Sequence, residues 1–238
     1  MIQPDSPFLA EPLSFPSLGL LYISSYLKKA GYNPEVYDLT GGSKLPSGLE
    51  ADIFGFSCQI PHFPFVTKTM NRLKQNSPDS IFVIGGPQAT WMPQKCLDEG
   101  FDIVVRGEGE FLMLKIVKEY ESIKRKKDAG KEFRRIYVPE IDLDPDSIPF
   151  PDWEAIDIER YKYGLEGFRC MNIITTRGNC PFGTGGHCYF CSKTNIGRAI
   201  PLRYRSVENV LKEARILRDY GFGALAIYDD EVMINKKR

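Results

Sequence analysis

The chain has 238 residues, 42% apolar and 26% charged, the balance of a folded globular protein with a sizeable core in one large domain or two small ones. Lys+Arg and Asp+Glu both total 31, so no overall field draws the chain to nucleic acid or to an anionic membrane, and neither is an expected partner. There is no apolar run of about eighteen residues, and MIQPDSPFLAEP is neither a basic leader nor a signal core; a cytoplasmic location is expected, where clustered cysteines favour metal ligation or catalysis over disulfides.

Met1 to Pro4 supplies at most the last part of a first strand, so the chain is expected to start late in its domain. LGLLYISSYLKKAGY has the apolar spacing of a helix stopped by Gly31, and a short strand follows over Glu35 to Leu39. ADIFGFSCQI reads as a buried strand, Phe65 to Gln75 as a helix, SIFVIGG as a strand, Pro93 to Glu99 as a helix, and FDIVVRGEGE as a further strand. Alternating strands and helices predict an α/β, doubly wound parallel sheet. Ligands of such sheets bind beyond the carboxyl ends of the strands, where Thr40, Gly41, Gly42, Ser57, Gly85, Gly86, Gly107 and Glu108 fall.

A helix over Glu110 to Ser122 closes this unit. KRKKDAGKEFRR then concentrates charge, read as a solvated helix end or loop tip, before a proline- and aspartate-rich connector that Trp153 and Tyr161 pin onto a domain. The expected division is 1–120 for the Rossmann-like domain, 121–167 for the linker and 168–238 for a second unit. That unit reads as a strand (CMNIITTRG), a glycine-rich loop, a helix capped by Ser206 and a strand (ALAIYDDE), which is the start of a partial (β/α) barrel that does not close within 238 residues.

RGNCPFGTGGHCYFCSK places three of the six cysteines at Cys180-x7-Cys188-x2-Cys191. Three thiolates on a loop leaving a strand end can hold three irons of a cubane cluster and leave the fourth open to a non-protein ligand. The alternative is a zinc site that adds His187, in a non-catalytic binding module. Cys58 and Cys96 are isolated on a strand and a helix, and Cys170 reads as a small buried apolar residue.

With RGNCP…CYFC, RYRSVENVLKEARIL, IYDDE, VIGGP, DIVVRGEGE and DLDPDSIPFPDW in place, the sequence resembles the radical S-adenosylmethionine superfamily, in the branch carrying an N-terminal cobalamin-binding domain. The resemblance implies that Cys180, Cys188 and Cys191 ligate a 4Fe-4S cluster. S-adenosylmethionine would chelate the open iron and be cleaved on reduction to a 5′-deoxyadenosyl radical. By the same resemblance Phe190 lies near the adenine; Asp229, Asp230 and Glu231 help hold the methionine ammonium; and Arg203 and Arg205 are structural. Thr40, Gly41, Gly42, Ser57, Gly85, Gly86 and Glu108 are the cobalamin-side candidates.

Two departures stand out. The family spacing is Cys-x3-Cys-x2-Cys, and the longer first interval here is a glycine-rich excursion whose closure costs well under ~1 kcal/mol more. Where cobalamin domains of the methionine-synthase type carry Asp-x-His, this chain has Asp38-Leu39-Thr40, so bound cobalamin would lack a protein imidazole under the cobalt. The implied activity is a cobalamin-dependent radical methylation or related rearrangement of a small-molecule substrate. The short barrel implies a truncated or split form, completed by a separately encoded chain or inactive alone. A methylthio-transferring RNA enzyme is disfavoured, because that family carries further cysteine ligands in its N-terminal domain.

Overall fold

The computed structural model describes residues 1–140, 142–180 and 200–230. Strands β1 (Ile2–Gln3), β2 (Tyr37–Asp38), β3 (Ile53–Ser57), β4 (Ile81–Gly85), β5 (Ile103–Val105) and β6 (Ile136–Tyr137) form one sheet in the order β2-β1-β3-β4-β5-β6. Every pairing is parallel. The strands are short and rich in Ile, Val and Phe, and helices on both faces bury them, as a parallel sheet requires.

Around the sheet lie α1 (Leu18–Lys29), α2 (Phe63–Asn76), α3 (Pro87–Trp91), α4 (Pro93–Asp98), α5 (Glu110–Lys118) and α6 (Tyr120–Asp128). The single closing helix expected from Glu110 onward is two, broken at Glu119. The charged run begins as the end of α6, where Lys127 pairs with Asp102 at 3.0 Å and Lys124 with Asp128 at 3.2 Å. The segment read as linker also supplies β6, so the sheet extends past residue 120. Ile136 and Tyr137 pair with Val104 and Val105, a strand too short and too charged at its entry to show as one in the sequence.

The rest of the connector folds back onto α1. Trp153 and Tyr161 are buried with Leu18, Leu21 and Tyr22 of α1 and with Met171, Ile173, Leu217 and Phe222 of the second unit. Ser24 donates to Asp152 at 2.5 Å, Lys28 pairs with Asp152 at 2.8 Å, and the Tyr161 hydroxyl donates to Asp38.

In the second unit β8 (Phe168–Ile173) runs parallel to β11 (Ala224–Ile227), with α7 (Val207–Asp219) between them. Ser206 caps α7 as expected, its hydroxyl accepting from Asn209 N at 3.1 Å. A hairpin strand β7 (Gly164–Leu165) flanks β8 antiparallel. A two-residue antiparallel ladder, β9 (Thr176–Arg177) with β10 (Arg203–Tyr204), was not anticipated; it closes the base of the cysteine segment. Among the described residues no helix is long and apolar enough to cross a membrane.

Because Leu21 is fully buried where both units meet, Leu21→Ala should cost about 2–5 kcal/mol by urea unfolding. A loss below about 1 kcal/mol would mean the two units do not share this core.

Candidate functional site

The carboxyl ends of β3, β4 and β5 open onto a cavity of about 400 Å3 whose far wall is the second unit. The sheet side presents Gly55, Ser57, Gly85, Gly86, Gly107 and Glu108; α1 contributes Gly19, Leu20 and Ile23; α5 contributes Glu110 and Met113. From the second unit come Thr176, Arg177, Gly178 and Asn179, which lead into Cys180, together with Tyr228, Asp229 and Asp230 at the end of β11.

The glycines shape this space. Gly86 has φ +93°, and a Cβ there would lie 2.9 Å from the Cys58 carbonyl oxygen, so the β4 end can press against the β3 end only without a side chain. Gly178 has φ +96°, and a Cβ would lie 2.0 Å from the Pro201 oxygen, so this stem position of the cysteine loop admits glycine alone. Gly55 differs. A Cβ would meet Met1 at 3.6 Å and Met113 at 4.0 Å, ordinary contacts, so the missing side chain leaves open volume and relieves no strain.

Charge enters the wall in pairs. Arg177 lies 2.6 Å from Glu110 and over the Tyr22 ring at 4.5 Å, and Arg203 pairs with Glu108. Burial pushes the Glu108 carboxyl above its ordinary range, against the pull of Arg177 and Arg203.

Of the residues singled out in the sequence, Ser57, Gly85, Gly86, Glu108, Asp229 and Asp230 line this one cavity. Thr40, Gly41 and Gly42 do not. They follow β2, the edge strand, where Arg160 donates to the Thr40 carbonyl, Asp5 accepts from Gly41 N at 3.0 Å, and Arg160 and Tyr161 engage Asp38. The Asp38-Leu39-Thr40 stretch is a docking point for the connector.

Asp229 reaches the cavity already engaged. Its carboxylate accepts from Thr175 N at 2.6 Å, Thr176 N at 3.0 Å and the Thr175 hydroxyl, stapling the β11 end to the β8–β9 turn. Arg205 is structural as expected, buried against Glu213 and donating to the Ile174 carbonyl at 2.7 Å. Arg203 combines such a role with a place beside the cavity. Cys180 is half-buried; Cys188, Cys191, His187, Phe190 and Glu231 lie outside the described residues. Cys58, Cys96 and Cys170 are fully buried, consistent with packing roles.

Sequence reasoning missed Arg177 and Glu110. Glu110 stands two residues after Glu108 in GEGE, and Arg177 three before Cys180; the missing signal was the pairing across 67 positions, which only the fold supplies.

Residues 12–117 match the family model of the B12 binding domain. The match spans α1 to nearly the end of α5 and contains Ser57, Gly85, Gly86, Glu108 and Glu110. The chain is 30% identical over 247 residues to the anaerobic magnesium-protoporphyrin IX monomethyl ester cyclase of Cereibacter sphaeroides, covering 94% of this chain and 39% of the relative. The cyclase of the same name from Rubrivivax gelatinosus is also 30% identical, covering 94% and 43%. The cytidylyl-2-hydroxyethylphosphonate methyltransferase of Streptomyces wedmorensis is 25% identical, covering 90% and 51%. This chain therefore spans between 39% and 51% of the length of these relatives.

No histidine lines the cavity among the described residues. His62 is 3% exposed, 2.7 Å from the Ser6 hydroxyl and 5.2 Å from the Phe8 ring. Burial lowers its pKa, with Asp5 opposing. The unfolded chain thus takes up a proton near pH 6.5 that the native state refuses, so stability from this group is complete above that pH and is lost as pH falls below it. The urea midpoint of the wild type should drop more steeply between pH 7 and 5.5 than that of His62→Gln; parallel profiles would contradict the burial of a neutral imidazole.

Proposed function

We propose that this chain binds cobalamin in the cavity over β3, β4 and β5 and carries, on the segment that begins at Cys180, a 4Fe-4S cluster that binds S-adenosylmethionine, as part of a cobalamin-dependent radical enzyme. The observation that carries this reading is the single cavity whose one wall is the B12 domain and whose other wall is the stem of the cysteine loop. Names of relatives support it: one is a methyltransferase and two are cyclases, so methylation or a related rearrangement of a small molecule is the class of reaction proposed.

The residues fit the groups. Gly55, Ser57, Gly85 and Gly86 leave room for a nucleotide tail to run close to the backbone, and among the described residues no imidazole lines the cavity, His62 being engaged by Ser6. Three thiolates suit three irons of a cluster. When bound, the cluster would supply the electron that cleaves S-adenosylmethionine, and cobalamin would carry a transferable group. The protein's part is to place them. Asp229 fixes the β11 end, Gly178 sets the loop's exit, Asp230 and Tyr228 close the cavity on the second-unit side, and Leu20, Ile23, Val83 and Met113 exclude water from its depth.

Gly55→Leu tests the site, because a Cβ there meets only ordinary contacts. Titrated with hydroxocobalamin and followed by absorbance, with folding checked by the melting temperature, it should bind at least about tenfold more weakly than wild type. Equal affinity would remove the cavity as the cobalamin site. Anaerobic reconstitution with iron and sulfide should give four irons per chain in the wild type and none in Cys188→Ala; zinc bound in place of iron would favour the non-catalytic module.

A further inference from the structure

The β9–β10 ladder has an unusual composition. Its register sets Arg177 directly opposite Arg203, and like charges at directly opposed positions repel. Both guanidinium groups are mostly buried, at 13% side-chain exposure, so water does little to screen them. The B12 domain supplies one carboxylate to each, Glu110 to Arg177 at 2.6 Å and Glu108 to Arg203, and Arg203 also donates to the Leu143 carbonyl.

Beyond that ladder, Asp229 holds Thr175 and Thr176, and two backbone bonds tie the strands of the stem. Asn179 N donates to the Ile200 carbonyl at 3.0 Å and Arg205 N to the Thr175 carbonyl at 3.0 Å, bracketing the segment that holds the three cysteines. Glu110 also lines the cavity. It is 2% exposed and, among the described residues, its buried Oε2 has no hydrogen-bond partner, an arrangement that a donor from a cavity ligand would relieve.

We infer that Glu108 and Glu110 are positioning residues that neutralise the paired arginines of the loop stem, fix that stem against the B12 domain and transmit occupation of the cavity to the stem through Arg177. The transmission rests on the cobalamin reading above; the neutralisation stands on the ion pairs alone. A ligand amide donating to Glu110 Oε2 would hold the carboxylate in the orientation that pairs Oε1 with Arg177, and so would tighten the stem without any further conformational change.

Hydrogen exchange on the full chain tests both parts. Without ligand, Glu110→Gln and Glu108→Gln should each speed exchange at Asn179 and Arg205 by about tenfold or more while β3 and β4 amides stay as in wild type. The double variant Glu108→Gln with Arg203→Gln should recover most of that protection, because the cross-strand repulsion is gone; ordinary loss of packing gives no such rescue. Unchanged stem exchange in both single variants, uniform acceleration across the sheet, or a double variant no better than Glu108→Gln would overturn the positioning role.

Adding hydroxocobalamin to the wild type should slow Asn179 exchange by about threefold or more, and should leave it unchanged in Glu110→Gln. Binding seen by absorbance with no slowing in the wild type overturns the transmission. No binding at all overturns the cobalamin reading and the transmission with it, while the ligand-free comparison still decides the stem.

Discussion

Helix α1 has apolar residues on more than one side, and the protein uses that to join two cores. Leu18, Leu21 and Tyr22 pack with the connector and with β8 and α7, while Leu27, with Ile23 beside it, packs under β4, β5 and α5. An amphipathic surface helix would cover one sheet and present charge outward. This one is buried between two sheets, so the second unit has a fixed seat on the first. Tyr22 extends the seat to charge, since the Arg177 guanidinium lies on its ring and Arg205 reaches its hydroxyl at 3.5 Å.

The cavity follows from that seating. A doubly wound sheet leaves a crevice beyond the carboxyl ends of its strands. Here the β9 stem and the β11 end form the opposite wall, and four charged residues face one another there as two pairs. Breaking a buried pair from one side is costly because the remaining charge is left without water or partner. The Glu108–Arg203 and Glu110–Arg177 contacts therefore specify where the second unit sits as much as they stabilise it. Function, on this reading, is a matter of placement: the first-unit residues that would hold cobalamin and the stem that leads into Cys180 are set around one cavity by contacts that belong to neither group.

Much of the fold was legible because its signals are local. Apolar runs ended by Gly85-Gly86 and Gly107 gave the strands, and the Ser206 cap gave α7, each boundary marked by a residue whose backbone or side chain stops the element. What was not legible depends on pairing at a distance. β6 has two residues in a charged stretch and exists because β5 offers an unpaired edge. Thr40, Gly41 and Gly42 follow a strand as the cavity residues do, but β2 is the outer strand of the sheet, and its end is covered by Arg160 and Tyr161. Asp229 sits at the expected strand end, yet two backbone N–H groups of the neighbouring turn engage its carboxylate. Arg177 and Glu110 carried no marker in the sequence beyond their neighbours, since a buried ion pair between remote residues has no local pattern.

The most direct test of one enclosure serving both groups is electron paramagnetic resonance of the full chain carrying a reduced cluster and cob(II)alamin together. The account predicts that each spin broadens and speeds the relaxation of the other, compared with samples carrying either alone. A spectrum equal to the sum of the two separate ones, with both groups bound, would mean that they do not share the cavity.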